Sequence, residues 1–208
     1  SLSLIMGQKY KVFTEKSGIF ICDSPKNNIP NQELAPFLNF NQFSTVLENG
    51  PVQLLCSNAK RKFDELFVHF AKVTAAGGII VDCNRVLLIY RNGFWDLPKG
   101  HVDAQEEIES AAVREVKEEC GVHQPVEIKV TYQVTYHTYQ YLGVSTLKAT
   151  HWFLMQTSSS QALTPQIDEG ITVCKWVPIK ELPEYLSETF ISIRELLEDF
   201  LNVNTQSE

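Results

Sequence analysis

The stretch Gly100–Val122 limits what this chain can fold into more than any other part of the sequence. It reads GHVDAQEEIESAAVREVKEECGV, and its second half holds two alanines and several glutamates, without Gly or Pro before Gly121. This composition predicts a helix that ends at Gly121 in a left-handed C-cap. On that helix Glu115, Glu118 and Glu119 are spaced i, i+3 and i+4, so their carboxylates share one face.

Three like charges at this spacing weaken an isolated helix by roughly a few tenths of a kcal/mol per pair, and a divalent cation would remove the repulsion. Oxygen ligands without His or Cys favour Mg²⁺ or Mn²⁺ over Zn²⁺, and Mg²⁺ usually shares its shell with water and substrate phosphates. Arg114 precedes Glu118 by four residues and can orient a carboxylate through a forked hydrogen bond. Gly100 lets the backbone pass close to metal or phosphate. The pattern therefore predicts phosphoryl chemistry, whereas the glutamate run alone would also fit a solvated surface helix.

The full spacing G-x5-E-x7-R-E-U-x-E-E-x-G-U, with U aliphatic, is matched at all nine specified positions. By this pattern the chain resembles the Nudix hydrolases. The resemblance implies an α/β fold, an α/β/α sandwich with a mixed sheet, and metal-dependent hydrolysis of a nucleoside diphosphate linked to another moiety. It also implies catalytic roles for Arg114, Glu115, Glu118 and Glu119. The three glutamates and the Gly100 carbonyl would hold Mg²⁺ or Mn²⁺, and Glu115 is preferred to Glu119 as the proton acceptor.

The segment Trp95–Val102, WDLPKGHV, most resembles the dinucleoside polyphosphate hydrolases and the related diphosphoinositol polyphosphate hydrolases. The resemblance implies that Lys99 faces phosphate, with Arg91 as a second cation. It also implies that Tyr139, 17 residues after Val122, stacks on a base, although a half-buried strand explains the tyrosines of this region equally well. Lys148 is a candidate phosphate contact, with a solvated strand end as the alternative.

The sequence also suggests roles for carboxylates outside the Glu115–Glu119 run. Asp103 and Glu106 stand near the expected start of the helix and could form a capping pair, which would make Glu106 structural. Glu169 lies in a region where some Nudix enzymes place an additional carboxylate as metal ligand or base.

The sequence predicts two domains, residues 1–72 and 73–208. The first is a small α+β domain of open role, with strands at Lys9–Thr14, Ile19–Cys22 and Val52–Cys56. Asn58 is the expected N-cap of its helix. The helix carries an apolar stripe, expected to be core, at Phe63, Leu66, Phe67 and Phe70.

The domain 73–208 is expected to be the Nudix hydrolase domain. It opens with three short strands, at Val73–Ala76, Gly78–Cys83 and Val86–Tyr90. A last helix near Thr189–Leu201 should bury its apolar side chains against one face of the sheet.

Composition limits the partners and the compartment. The net charge of −7 disfavours polyanions, although Gly100–Val122 alone holds seven acidic against two basic residues. Five cysteines, odd in number and without a CxxC pair, predict a reducing compartment, with the cytoplasm as default. No stretch approaches membrane-spanning length, and the apolar N-terminal run is too short for a signal peptide. We expect a small-molecule nucleotide or polyphosphate as partner, no nucleic acid and no membrane; a homodimer stays open.

Three functions compete. The first is hydrolysis of a dinucleoside polyphosphate or related nucleotide. The second is hydrolysis of diphosphoinositol polyphosphates, which calls for a more basic pocket than the sequence offers. The third is a nucleotide sensor without catalysis, which is disfavoured because sensors commonly lose box carboxylates and none is lost here.

Overall fold

The computed structural model describes residues 9–23, 28–158 and 160–205. The chain folds into two compact units, Ser1–Val73 with Thr135–Ala149 and Thr74–Val134 with Thr150–Glu208. The strands are β1 Tyr10–Phe13, β2 Gly18–Cys22, β3 Val52–Leu55, β4 Ala71–Asp82, β5 Arg85–Arg91, β6 Phe94–Asp96, β7 Lys99–His101, β8 Glu127–Tyr141, β9 Val144–Gln156 and β10 Ile171–Pro178. The helices are α1 Phe40–Val46, α2 Ala59–Leu66, α3 Ile108–Cys120, α4 Leu182–Tyr185 and α5 Ile191–Thr205, with 3₁₀ turns at Ile167–Glu169, Ile179–Glu181 and Leu186–Glu188.

The first unit is a mixed sheet with helices. β1 pairs antiparallel with β2 and parallel with the distal part of β8, and β2 pairs parallel with β3. α2 begins as predicted, because the Asn58 side chain accepts a hydrogen bond from the Arg61 N–H at 2.9 Å. The four side chains of the predicted apolar stripe are buried, which confirms their assignment to the core: Phe63, Leu66, Phe67 and Phe70. Their placement on one helix is only partly correct, because α2 ends at Leu66, Phe67 is its C-cap and Phe70 follows the helix.

The core of this unit is unusually aromatic. Phe67 lies at its centre and contacts four other phenylalanine rings, with centroids 5.3–5.6 Å apart: Phe37, Phe43, Phe63 and Phe70. Tyr136, on β8, packs against Phe63 at 4.7 Å, and Leu147, on β9, is buried in the same cluster. The β8–β9 hairpin therefore completes the core of the N-terminal segment. The first unit is larger than the segment 1–72 expected from the sequence, and the domain boundary itself stays a prediction.

The second unit is an α/β/α sandwich, as expected. Its strand order is β10-β5-β4-β9-β8. Neighbouring side chains of β4 and β5 belong alternately to two hydrophobic clusters. Ile80, Leu87 and Ile89 pack on the α3 side, whereas Ile79, Val86 and Leu88 pack on the α5 side. Strands that are apolar on both faces need a helix layer on each, and α3 and α5 provide those layers.

The expectation of two short strands at Val73–Ala76 and Gly78–Cys83 is wrong, because β4 runs without a break through Gly77 and Gly78. Those glycines allow close packing rather than a turn. A Cβ on Gly77 would stand 2.5 Å from the Pro98 carbonyl oxygen, and β7 pairs here with β4. This close approach fixes Lys99 and Gly100 beside the central strands.

Two observations bear on compartment and membrane. The cysteines at 22, 56, 83, 120 and 174 are all free thiols, as a reducing environment favours. Within the part of the chain that the structure describes, the helices are too short or too polar to cross a membrane. The cytoplasmic location stays a prediction.

Candidate functional site

Helix α3 carries the acidic residues of the site. It spans Ile108–Cys120 and buries its apolar face, including Ala112 and Val116, against the sheet. It ends as predicted, with Gly121 in the left-handed region at φ 64°. A Cβ there would also stand 2.7 Å from the Thr164 Cβ, so both conformation and space favour glycine.

Asp103 and Glu106 were expected to cap the start of the acidic helix, but both residues precede the N-cap of α3. The helix begins later than expected, and its N-cap is Glu107, which makes no side-chain capping bond. Glu106 does accept the Asp103 N–H at 3.1 Å, but its carboxylate mainly pairs with Arg114. The role of Glu106 is therefore to hold an arginine rather than to cap a helix.

Arg114 is the hub of the acidic face. Its Nε and Nη2 donate to the two oxygens of Glu106 at 2.9 Å each, which is a forked pair. Its Nη1 donates to Glu115 Oε1 at 2.8 Å and to Glu118 Oε2 at 2.9 Å, and Nη2 also donates to the His101 carbonyl at 2.9 Å. The expected Arg114–Glu118 contact is present, but it is one of four acceptor groups around one guanidinium.

The pKa values follow from this network. Hydrogen bonds from Arg114 lower the pKa of Glu106 to about 2. Burial raises the pKa of Glu115, and the hydrogen bond from Arg114 opposes that rise. The carboxylates also raise the pKa of Arg114 itself. The guanidinium therefore supplies positive charge among carboxylates that would otherwise repel one another.

Gly100 lies directly against Glu115. A Cβ on Gly100 would stand 2.1 Å from the Glu115 carboxylate carbon, so any side chain there would displace that carboxylate. The glycine thus gives Glu115 its place beside the β7 backbone. The role of the Gly100 carbonyl as a metal ligand stays a prediction.

Glu119 is the most buried acid of the helix, with 2% of its side chain exposed. Its Oε2 accepts the Lys99 backbone N–H at 2.8 Å, and its Oε1 accepts from Arg91 Nη1 at 3.2 Å. Burial raises its pKa to about 7, while the charges of Lys99 and Arg91 and the hydrogen bond from the Lys99 N–H act in the opposite direction. A carboxylate balanced in this way is typical of functional sites.

The two predicted phosphate-binding cations of this unit already have acidic partners. The Lys99 ammonium pairs with buried Asp96, three residues earlier. Arg91 contacts Glu119 and, through Nη2, Glu169 at 2.7 Å. Both cations lie beside Glu119, but a substrate phosphate would have to share or exchange these contacts.

Tyr139 and Lys148 fall in the first unit, and the acidic helix falls in the second. The two predicted residues do lie together, with the Lys148 ammonium 5.7 Å from the centre of the Tyr139 ring. Tyr139 also stacks on His137 at 6.0 Å. Their substrate contacts stay predictions.

The carboxylates of α3 fit a hydrated cation rather than a closed metal cage. Among residues 9–23, 28–158 and 160–205, no three His, Cys, Asp or Glu side chains converge as such a cage. Arg114 takes one oxygen each of Glu115 and Glu118, namely Oε1 and Oε2. The other oxygen of each is not engaged by Arg114. Since Mg²⁺ usually takes only one or two carboxylates and completes its shell with water and phosphate, this oxygen-only set fits Mg²⁺ or Mn²⁺.

A groove of about 740 Å³ runs along the outer face of α3. Val113, Val126 and Ile128 provide its apolar surface, and Arg114 and Glu118 line it as well. The groove thus continues from the acidic face.

Sequence inspection missed three partners of the site, Glu106 for Arg114, Asp96 for Lys99 and Glu169 for Arg91. The Asp96–Lys99 spacing of three residues was visible in the sequence and could have indicated an ion pair. The Arg91–Glu169 contact joins residues 78 positions apart, which no local pattern reveals.

The sandwich and its acidic helix define the class: an α/β protein whose carboxylate-rich helix packs on a mixed sheet beside two cations. The NUDIX domain family model matches residues 71–200, which is more than half of the chain, and the chain belongs to this family.

Three known proteins illustrate the relationship. The "Putative mutator protein MutT4" of Mycobacterium tuberculosis is 31% identical over 128 residues, covering 55% of this chain and 49% of that protein. The RNA pyrophosphohydrolase of Haemophilus influenzae is 26% identical over 147 residues, covering 60% and 72%. A crystal structure of a C. elegans Ap4A hydrolase binary complex has a TM-score of 0.50 at 22% identity, covering 64% and 98%, and shares the fold. The chain spans about half the length of the mycobacterial relative.

Proposed function

We propose that the protein hydrolyses a phosphoanhydride bond in a nucleoside diphosphate linked to another moiety, with dinucleoside polyphosphates as the substrate class. One observation carries the proposal: two largely buried carboxylates, Glu115 and Glu119, lie against the backbone at Gly100 and Lys99, with a cation, Arg91, bonded to one of them. Buried charges are costly, so a fold that keeps two of them on one helix face favours catalysis over structure.

Glu115 and Glu118 would hold a divalent cation through the oxygens that Arg114 does not engage. Glu119 would join them as a ligand by exchanging one of its bonds to Arg91 and the Lys99 N–H. When bound, Mg²⁺ or Mn²⁺ polarises a phosphoryl oxygen and lowers the pKa of bound water. The chain's own residues supply the rest of the site. Arg114 orients Glu115 and Glu118 through Nη1, and Glu106 holds the same guanidinium by its fork.

Lys99 and Arg91 are the groups that would neutralise charge on the phosphates. Each is held in place before substrate arrives, Lys99 by Asp96 and Arg91 by Glu119. We assign the proton from the attacking water to Glu115, because both oxygens of Glu119 are already bonded to protein donors. Only one oxygen of Glu115 accepts from Arg114.

The choice of dinucleoside polyphosphates rests on WDLPKGHV at Trp95–Val102. The groove beside Arg114 and Glu118 supports it, because a second apolar moiety could lie there next to the cleaved phosphates. A second candidate substrate is the phosphorylated 5′ end of RNA, favoured by the identity of 26% with an RNA pyrophosphohydrolase. The chain's net charge of −7 disfavours a long polyanion.

The test is a hydrolysis screen with Mg²⁺ or Mn²⁺ on diadenosine polyphosphates, ADP-ribose, nucleoside triphosphates, diphosphoinositol phosphates and 5′-triphosphorylated RNA. The products are separated and identified by chromatography, because cleavage of a dinucleoside polyphosphate yields two nucleotides and no inorganic phosphate. Glu119→Gln is the site variant, and Glu198→Gln is the matched control because Glu198 lies on the exposed face of α5. Selective cleavage of a diadenosine polyphosphate that Glu119→Gln loses and Glu198→Gln keeps is the expected result. Metal-dependent cleavage of RNA alone would favour the second candidate. Nucleotide binding without any turnover would favour a sensor.

A further inference from the structure

Arg91 joins two carboxylates of very different exposure. Its Nη1 donates to Glu119 Oε1 at 3.2 Å, and its Nη2 donates to Glu169 Oε2 at 2.7 Å. The Glu119 side chain is 2% exposed, whereas the Glu169 side chain is 50% exposed. One side of the guanidinium is therefore anchored inside the protein, and the other is bonded to an acid that can turn out into water.

The backbone holds Glu169 close to Arg91. Gly170 follows it at φ 75°, and the Gly170 carbonyl accepts the Asn92 N–H at 3.3 Å. Ile171 then pairs directly with Arg91 as β10 begins. The Glu169–Arg91 contact thus follows from the way the 3₁₀ turn Ile167–Glu169 is attached to the β5 end, and it is not a chance meeting of two long side chains.

The two bonds of Arg91 differ in how easily they exchange. Glu119 cannot leave, because it is buried and also accepts the Lys99 N–H. Glu169 can be replaced at little cost, because exposed ion pairs contribute little stability. A guanidinium binds phosphate oxygens through the same forked geometry with which it binds carboxylates.

We propose that Glu169 is a built-in competitor for the substrate's phosphate at Arg91. The phosphate takes the place of the Glu169 carboxylate on Nη2, while the bond to Glu119 keeps the guanidinium in position. Glu169 thereby lowers the affinity for anionic ligands, and it favours groups with a high negative charge, such as the diphosphate of a nucleotide, over singly charged anions. This inference rests on the proposed function, because it requires Arg91 to face the substrate.

This role differs from that of a metal ligand or a base, which some Nudix enzymes give to an additional carboxylate in the region of Glu169. A competitor can be removed with a gain in ligand affinity. A ligand or base cannot, because its removal costs metal binding or turnover. The sign of the effect therefore separates the two roles.

The experiment measures ADP binding by titration calorimetry with the full chain, in EDTA so that no metal contributes. Glu169→Gln should tighten ADP binding by about three- to fivefold, since it removes the carboxylate that competes for Arg91. Asp168→Asn is the matched control. It removes the same charge from the same turn, and within the described residues the carboxylates bonded to Arg91 are Glu119 and Glu169. Its effect should stay below about twofold.

A double-mutant cycle completes the test. In an Arg91→Met background, Glu169→Gln should give no gain in ADP affinity, because the contested cation is absent. Equal gains from Glu169→Gln and Asp168→Asn, or a gain that persists without Arg91, would overturn the exchange and leave the proposed hydrolysis standing. Weaker ADP binding by Glu169→Gln, or a loss of Mn²⁺ binding measured by electron paramagnetic resonance, would show a ligand instead. Absence of ADP binding in every variant would also overturn it, whereas failure of the proposed function would appear separately as absent turnover in the metal-dependent screen.

Discussion

The core of the first unit consists of aromatic and aliphatic side chains, whereas the acidic face of α3 consists of carboxylates. Phe67 and its neighbours form a buried apolar cluster, and burial of such rings is favourable in itself. In the described residues, the fully buried acids are Asp96 and Glu119, both in the second unit and both bonded to cationic groups. Buried carboxylates remain only where partners compensate for lost hydration. The comparison shows that aromatic side chains are buried without ionic partners, whereas each buried acid of the second unit is retained together with a cationic partner.

The largest effect should come from Glu119→Gln, which tests the chemical side of this comparison. We expect kcat to fall by about 10²- to 10⁴-fold, because the carboxylate that holds Arg91 and the Lys99 N–H is lost from the acidic face. The fold should persist, as judged by circular dichroism and a cooperative melt. Turnover equal to that of the unaltered protein would remove the acidic face from the mechanism.

Phe67→Ala tests the structural side. Phe67 is fully buried among four phenylalanines, so its truncation should lower the free energy of unfolding by about 3–5 kcal/mol. Denaturant titration measures this, with Val68→Ala as control because Val68 is 59% exposed. A loss no larger than that of the control would show that the aromatic cluster does not stabilise the first unit.

Arg114→Lys should have an intermediate effect on stability. A lysine keeps the charge but cannot reproduce the fork to Glu106 together with the bonds to Glu115 and Glu118. We expect a loss of about 1–2 kcal/mol in the free energy of unfolding and a clear decrease in kcat. Arg61→Lys on α2 is the control, because its pair with Glu65 is exposed and should contribute less than about 0.5 kcal/mol. Equal effects of the two variants would contradict a central role for Arg114.

The smallest expected difference is between two glycine variants, which separate the cost of backbone conformation from the cost of packing at Gly121. Gly121→Ala should cost about 1–2 kcal/mol for its positive φ, plus the clash with Thr164. Gly143→Ala is the matched control, since Gly143 has φ 81° and nothing within 4 Å of an added Cβ. Differential scanning calorimetry of both should show the larger loss for Gly121→Ala. If the losses are equal, Thr164 makes room without cost.

The sequence correctly predicted those features that depend on residues close together along the chain. The end of α3 follows from Gly121 and the start of α2 from Asn58. Helical spacing also predicted the burial of Phe63 and Leu66 on α2, although the helix ends before Phe67 and Phe70. The i, i+4 spacing of Arg114 and Glu118 on a helix also predicted the hydrogen bond between them.

The parts that the sequence did not reveal depend on distant contacts. Gly77 suggested a break between strands, but its position against Pro98 keeps β4 continuous. Glu106 looked suited to capping, yet the chain before Ile108 brings it to Arg114 instead. The same holds for Glu169 at Arg91, because the contact exists only after β10 pairs with β5.

The β8–β9 hairpin limits how the N-terminal segment can be gained or lost during evolution. Tyr136 and Leu147 belong to a core whose other members come from the N-terminal segment, including Phe63. A gene fragment beginning at residue 73 would retain the hairpin but expose these side chains to water. Gain or loss of the N-terminal segment during evolution therefore requires matching changes in the hairpin. Homologues without the segment should carry polar residues, or a shorter turn, where this chain has Tyr136 and Leu147.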